Sequence, residues 1–184
     1  MMRVMAVVLA GGLLLAAAGC SNVQMVGHAA GMAFQAVKGA DADATLIHGD
    51  FSPSRLAVYD TLLPGDVTTD VPPICDSGML AKVRREFAET LAGEDVRRVF
   101  PGGGRALKIN VLCRFFKEKG MIGGEGRLDW LVTLADNSTG EAVGVVFVEG
   151  VSESPIQHGA SDMAKANAKE LLKFLRKAKQ GGQA

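Results

Sequence analysis

Three cysteines, three histidines and several glycine clusters are the residues of this 184-residue chain whose types could do chemistry. A metal site needs convergent ligands, yet His28, His48 and His158 are scattered, with no HExxH or His–Cys spacing that would hold zinc. Gly102 to Gly104 followed by Arg105 lack the P-loop lysine and Ser/Thr, and a strand pattern follows them where a helix should aim its N-terminus at an anion. Gly120, Gly123, Gly124 and Gly126 lie between two strand patterns, whereas a dinucleotide fingerprint must join a strand to a helix. Asn137-Ser138-Thr139 has the form of a glycosylation sequon and the composition of a turn. A nucleophile needs a base and an orienting group, and neither Ser-His-Asp nor Cys-His has local support. The expectation is therefore no catalytic residue, no metal and no cofactor.

Cys20 is different, because of what precedes it. Arg3 leads an apolar run from Val4 to Ala18, and Ala18-Gly19 run straight into the cysteine. The run is about 15 residues, shorter than the roughly 20 that span a bilayer as a helix, and it has the regions of a secretory signal. With Ala18, Gly19 and Cys20 in place it resembles a bacterial lipoprotein signal, with Ala17 standing where leucine is usual. The resemblance implies removal of residues 1–19 and acylation of Cys20, with Ser21, a residue other than aspartate, directing the protein to the outer membrane. Two or more acyl chains make anchoring stable, at about 0.8 kcal/mol per buried methylene.

Loss of Arg3 leaves nineteen basic residues against twenty acidic ones, a balance that argues against nucleic acid as a partner. The remaining 165 or so residues suffice for one domain with a real core. Cys75 and Cys113 remain as an even pair, which in an oxidising periplasm invites a disulfide contributing roughly 3 to 4 kcal/mol. The alternative is two buried free thiols acting as small hydrophobes.

These residues must be positioned by a domain spanning residues 45–179, after an anchor and tether at 20–44 in which Val23, Val26, Ala30, Phe34 and Val37 have helical spacing. Strands are expected at Thr45–His48, Arg55–Tyr59 and Val96–Phe100, with an irregular loop through Pro64-Gly65 and Pro72-Pro73. Leu80, Val83, Phe87 and Leu91 mark a helix capped by Asp76 or Ser77 and stopped by Gly93. Leu107, Ile109, Val111, Cys113 and Phe115 alternate along one strand, and Leu128, Trp130, Val132 and Leu134 along the next. After the Asp136–Gly140 turn, a strand at 141–150 is apolar on both faces, the pattern of a central, doubly covered strand. A last helix from Ala160 to Lys179, capped by Ser161 or Asp162, buries Met163, Asn167, Leu171, Phe174, Leu175 and Ala178; residues 180–184 form a frayed tail. Together these predict an α+β fold, a mostly antiparallel five- to six-stranded sheet with two helices packed on one face.

"RLAVYD", "RALKINVLCRF" and "WLVTLADNSTGEAVG", with the alanine-rich last helix, resemble a group of bacterial lipoproteins of unknown function. The same order is similar to the periplasmic domain of curli-secretion-channel lipoproteins and to the N-terminal domain of TolB. The resemblance implies a lipid-anchored envelope protein with a structural or accessory role, bound to an envelope partner or to further copies of itself. A carrier of a small apolar ligand would instead need a large apolar pocket, and an envelope hydrolase a cleft of converging ionisable groups. The loop residues Arg105, Met121 and Ile122 are the natural contact candidates, whereas Trp130 alternates with core positions.

Overall fold

The computed structural model describes residues 40–118, 124–152 and 159–181. Five strands form one sheet in the order β1-β5-β4-β3-β2: β1 is Asp41–Gly49, β2 Tyr59–Thr69, β3 Arg105–Lys117, β4 Gly126–Asp136 and β5 Ala142–Ser152. Helices are α1, Pro53–Leu56; α2, Ser77–Leu91; α3, Glu94–Val99; and α4, Ala160–Lys179. The sheet is mixed: β1–β5, β5–β4 and β4–β3 are antiparallel, while β3 pairs parallel to β2. Parallel neighbours need a crossover, and α2 and α3 supply it.

The class expected from sequence is the one observed, but among the described residues four helices stand where two were expected. Val96–Phe100 is not a strand. Glu94 and Asp95 open a short helix and Arg97 and Arg98 close it, charges that suit the dipole at each end, and Val96 is its buried residue. Arg55–Tyr59 is not a strand either: Pro53 starts the single turn α1, Leu56 plugs the core, and the strand begins at Tyr59. The expected loop at Pro64-Gly65 is part of β2, an edge strand whose register shifts between Pro64 and Val67. An edge tolerates proline because its missing N–H leaves no ladder bond broken. Gly65 is needed there, since a Cβ would collide with the Asn110 side chain, whose Oδ1 accepts the Asp66 N–H at 3.0 Å. β1 starts at Asp41, so residues 41–44, expected to be tether, belong to the sheet.

The two long helices cover one face. Asp76 caps α2 by accepting the Met79 N–H at 2.8 Å, and Met79, Val83, Phe87 and Leu91 turn inward; Leu80 is only partly buried. Gly159, not Ser161 or Asp162, is the N-cap of α4, and the expected stripe Met163, Asn167, Leu171, Phe174, Leu175 and Ala178 is buried throughout. Against these helices lie Leu107, Ile109, Val111 and Cys113 of β3, Leu128, Trp130, Val132 and Leu134 of β4, and Val146 and Val148 of β5, each 0–1% exposed. Phe87 meets Trp130 edge to face at 6.1 Å, and Phe51 meets Phe174 at 5.5 Å. Burying each large side chain contributes about 1.5 to 3 kcal/mol.

Candidate functional site

Side chains alternate across a strand, so the residues between those core positions point to the face that no described helix covers. Register aligns them into rungs. One crosses all five strands: Thr68, Leu112, Leu131, Phe147 and Thr45, three large apolar side chains with a threonine at each edge. On one side of it lies the rung Asn110, Thr133, Val145 and His48. On the other lie Phe115, Asp129, Glu149 and Asp43, then Lys117, Arg127, Val151 and Asp41. Leu112, Leu131, Phe147, Val145, Val151 and Phe115 are all half-buried, held by neighbours in the sheet, and no described helix lies over them.

The charged end of this face is ordered by one guanidinium. Arg127 donates Nε to Asp129 Oδ1 at 2.8 Å and Nη2 to Oδ2 at 2.9 Å, lies 3.1 Å from Glu149 through Nη1, and places its carbon 5.8 Å from the Phe115 ring centre. Hydrogen bonding to Asp129 and the charges of Asp129, Glu149 and Glu125 hold the Arg127 pKa above its usual value, against partial burial. Asp41 and Asp43 of β1 extend the acidic side of this end. The result is an open surface with an apolar middle and a polar, charged margin, the anatomy of a protein–protein interface rather than of a small-molecule pocket.

The residues singled out in the sequence fall elsewhere. Trp130 is fully buried. Arg105 reaches Asp136 through Nε and lies 5.4 Å over the Tyr59 ring, a corner joining β2, β3 and β4. Asp136 also accepts the Ser138 N–H at 2.8 Å, the Thr139 N–H at 3.1 Å and the Ser138 hydroxyl, and Gly140 takes positive φ at 73° to complete the turn. With every polar atom of that carboxylate engaged, this corner is a structural device. Gly102 and Gly103 also take positive φ, in a turn where the Gly102 N–H donates to Asp60 O at 2.7 Å. His48 is exposed on β1; Cys75 and Cys113 are both buried, and burial pushes the Cys113 thiol up to about 12. Cys20 with its signal, the tether helix, His28, His158, Met121, Ile122, Gly120 and Gly123 lie outside the described residues. No group of three or more His, Cys, Asp or Glu suited to a metal ion occurs among the described residues.

The uncovered face was missed in sequence because β5, apolar on both sides, reads as a doubly covered central strand. In the sheet β5 lies second from the edge, β4 is central, and the described helices cover only one side of either. The signal was present: Leu112, Leu131 and Phe147 are large apolar residues at positions that alternation assigns to the polar side.

The sheet–helix interior is filled by interlocking side chains. A groove of about 1130 Å³ runs along the helix layer instead, walled by Glu86, Glu89 and Glu94 and by Lys165, Lys169 and Lys173. Charge on both walls makes it a poor chamber for an apolar ligand.

No protein-family model matches the chain, and no curated protein matches it in sequence. Among solved structures, two PelC dodecamers from Paraburkholderia phytofirmans are similar: one at TM-score 0.49 and 14% identity, covering 74% of this chain and 97% of its own, the other at 0.46 and 14%, covering 79% and 99%. A presumed lipoprotein from Caulobacter crescentus CB15 is similar at 0.45 and 14%, covering 70% of this chain and 97% of its own. These likenesses lend no residue role to this chain.

Proposed function

We propose that this chain is a lipid-anchored lipoprotein of the bacterial cell envelope, held at the outer membrane through Cys20, whose folded domain docks another protein through the uncovered face of its sheet. The observation that carries the docking role is the rung Leu112, Leu131 and Phe147, half-buried apolar side chains in the middle of an open face. The partner is an envelope protein or a further copy of this chain. A near-neutral charge and a face with acids outnumbering bases at its ordered end support a protein partner over nucleic acid. The anchor reading is supported by the lipobox-like Ala18-Gly19-Cys20.

Cross-linking in intact cells tests the docking role. Wild-type chain should be captured as a discrete homo-oligomer or with a recurrent envelope partner, and Leu131→Lys, which leaves the helix-covered core untouched, should abolish that species. A monomer in both, or capture unchanged by the substitution, rejects this face as the docking surface. Cys20→Ser should remove the acyl label and release the domain from membranes; retention of the variant on membranes would reject the anchor.

A further inference from the structure

The crossover that makes the sheet mixed brings Cys75 back to the neighbourhood of Cys113, inside one hydrophobic cluster. Thr69, at the end of β2, is the register partner of Cys113 in β3, and its hydroxyl donates to the Cys113 carbonyl at 2.8 Å. The same hydroxyl oxygen accepts the Val71 N–H at 3.0 Å, and the Val71 carbonyl accepts the Cys75 N–H at 3.0 Å. Three hydrogen bonds thus return the chain within six residues, and the Cys75 side chain also interacts with the Thr69 hydroxyl. Both thiols enter one hydrophobic cluster, Cys75 at 1% and Cys113 at 0% exposure. Buried thiols have little else to bond: a thiol is a weak donor and a weak acceptor.

We infer that Cys75 and Cys113 are a structural disulfide site, closed while the chain folds in an oxidising compartment, which pins the β2–α2 crossover to the underside of the sheet. This rests on the export reading of the N-terminal segment for its compartment, and on the fold for its geometry. The reaction is thiol–disulfide exchange with a small or protein disulfide as oxidant. One cysteine thiolate attacks the oxidant to give a mixed disulfide, the other displaces it, an S–S bond replaces two S–H bonds, and the oxidant leaves as two thiols carrying the electron pair and protons.

Timing follows from burial. In the folded chain the Cys113 thiol is pushed up to about 12 by burial first and by Cys75 second, so its thiolate is scarce near neutral pH and oxidants have no path to it. Closure therefore belongs to folding, before α2 covers β3. The reduced native protein should be inert to mild oxidants and to alkylation. The refolding chain should not be.

The test uses the full-length chain with Cys20→Ser, so that only these two thiols remain. It is refolded from denaturant in an oxidised and reduced glutathione mixture, alkylated and digested with trypsin. The expected product is one species joining the peptides 56–82 and 109–114. Separate, fully alkylated peptides overturn the inference. Reduction of the closed protein should lower Tm by on the order of 10 °C, as expected for a loop of about 38 residues, and should not change the Tm of Cys75→Ala/Cys113→Ala. An equal fall in the double variant also overturns it. In cells, the envelope-exported wild-type chain should carry the link and a chain lacking residues 1–19 should not. A link formed on refolding but absent from the exported chain would reject the compartment reading, while the bond itself stands.

Discussion

Asp136 shows how one carboxylate can be misread. It ends β4 and carries ion-paired Arg105, the setting of a catalytic acid, yet its partners are all accounted for. The Ser138 hydroxyl first, then the Thr139 and Ser138 amides and the Tyr59 hydroxyl, hold its carboxyl well below the usual range, against the opposing effect of burial. Burial and the same contact raise the Tyr59 phenol. A folded-state pKa below the unfolded one stabilises the fold above the unfolded carboxylate value of about 3.9, and this contribution is lost as pH falls further. Asp136→Asn should therefore lower Tm at pH 7, and its gap to wild type should narrow steadily below about pH 4. Thermal melts across that range decide it; a pH-independent gap would mean that charge contributes nothing. The turn itself was legible in the run Asp136–Gly140, but its closure by Tyr59 and Arg105 was not, because those partners come from strands remote in sequence.

At the scale of elements, strand and helix contacts depend on small residues where backbones approach. Leu128 pairs with Gly150 across β4 and β5, and above them Asn167 of α4 donates Nδ2 to the Leu128 carbonyl at 2.9 Å. A Cβ at Gly150 would occupy the place of Asn167 Oδ1. Gly150→Ala should thus cost about 1 to 3 kcal/mol by overpacking and by weakening that bond, read from urea unfolding. Trp130→Ala, which empties the space against Phe87, should cost about 3 to 5 kcal/mol in the same measurement. Periodicity revealed the stripe of α4, the core side of β4 and that of β3 as far as Cys113, because these are written every two or every three to four residues; beyond Cys113 a register shift turns Phe115, expected on the core side, to the other face and packs Phe116 against the core. It failed at Val96–Phe100 and Arg55–Tyr59. Those windows are too short for a period of 2 to be told from one of 3.6, and the deciding features were the flanking charges and Pro53.

At the scale of the molecule, the question is what a single-sided sheet does with its other side. Half-buried Leu131 and Phe147 lie on the face that no described helix covers, so Leu131→Lys and Phe147→Asp should change Tm by no more than a few degrees. If the face docks further copies, wild-type chain should show concentration-dependent association by sedimentation velocity and each variant should remain a monomer. A large loss of stability in either variant would show instead that the face is packed as core. The charges point the same way: Arg127 is bound to Asp129 and Glu149 at the margin, leaving the apolar rung clear.

What the sequence by itself determined is local or compositional: the apolar leader ending at Cys20, the near-equal charges, the amphipathic faces of α2 and α4, the alternation of β3 and β4, and the α+β class. Each is encoded within a dozen or so residues, where backbone periodicity converts spacing directly into a face. Only the tertiary structure decided the strand order β1-β5-β4-β3-β2, the parallel step at β2, the place of Cys75 near Thr69, the register partner of Cys113, and which side of β5 the described helices leave uncovered. Those depend on pairings between segments far apart in the chain. An apolar residue carries the same spacing whether a helix or a partner eventually covers it.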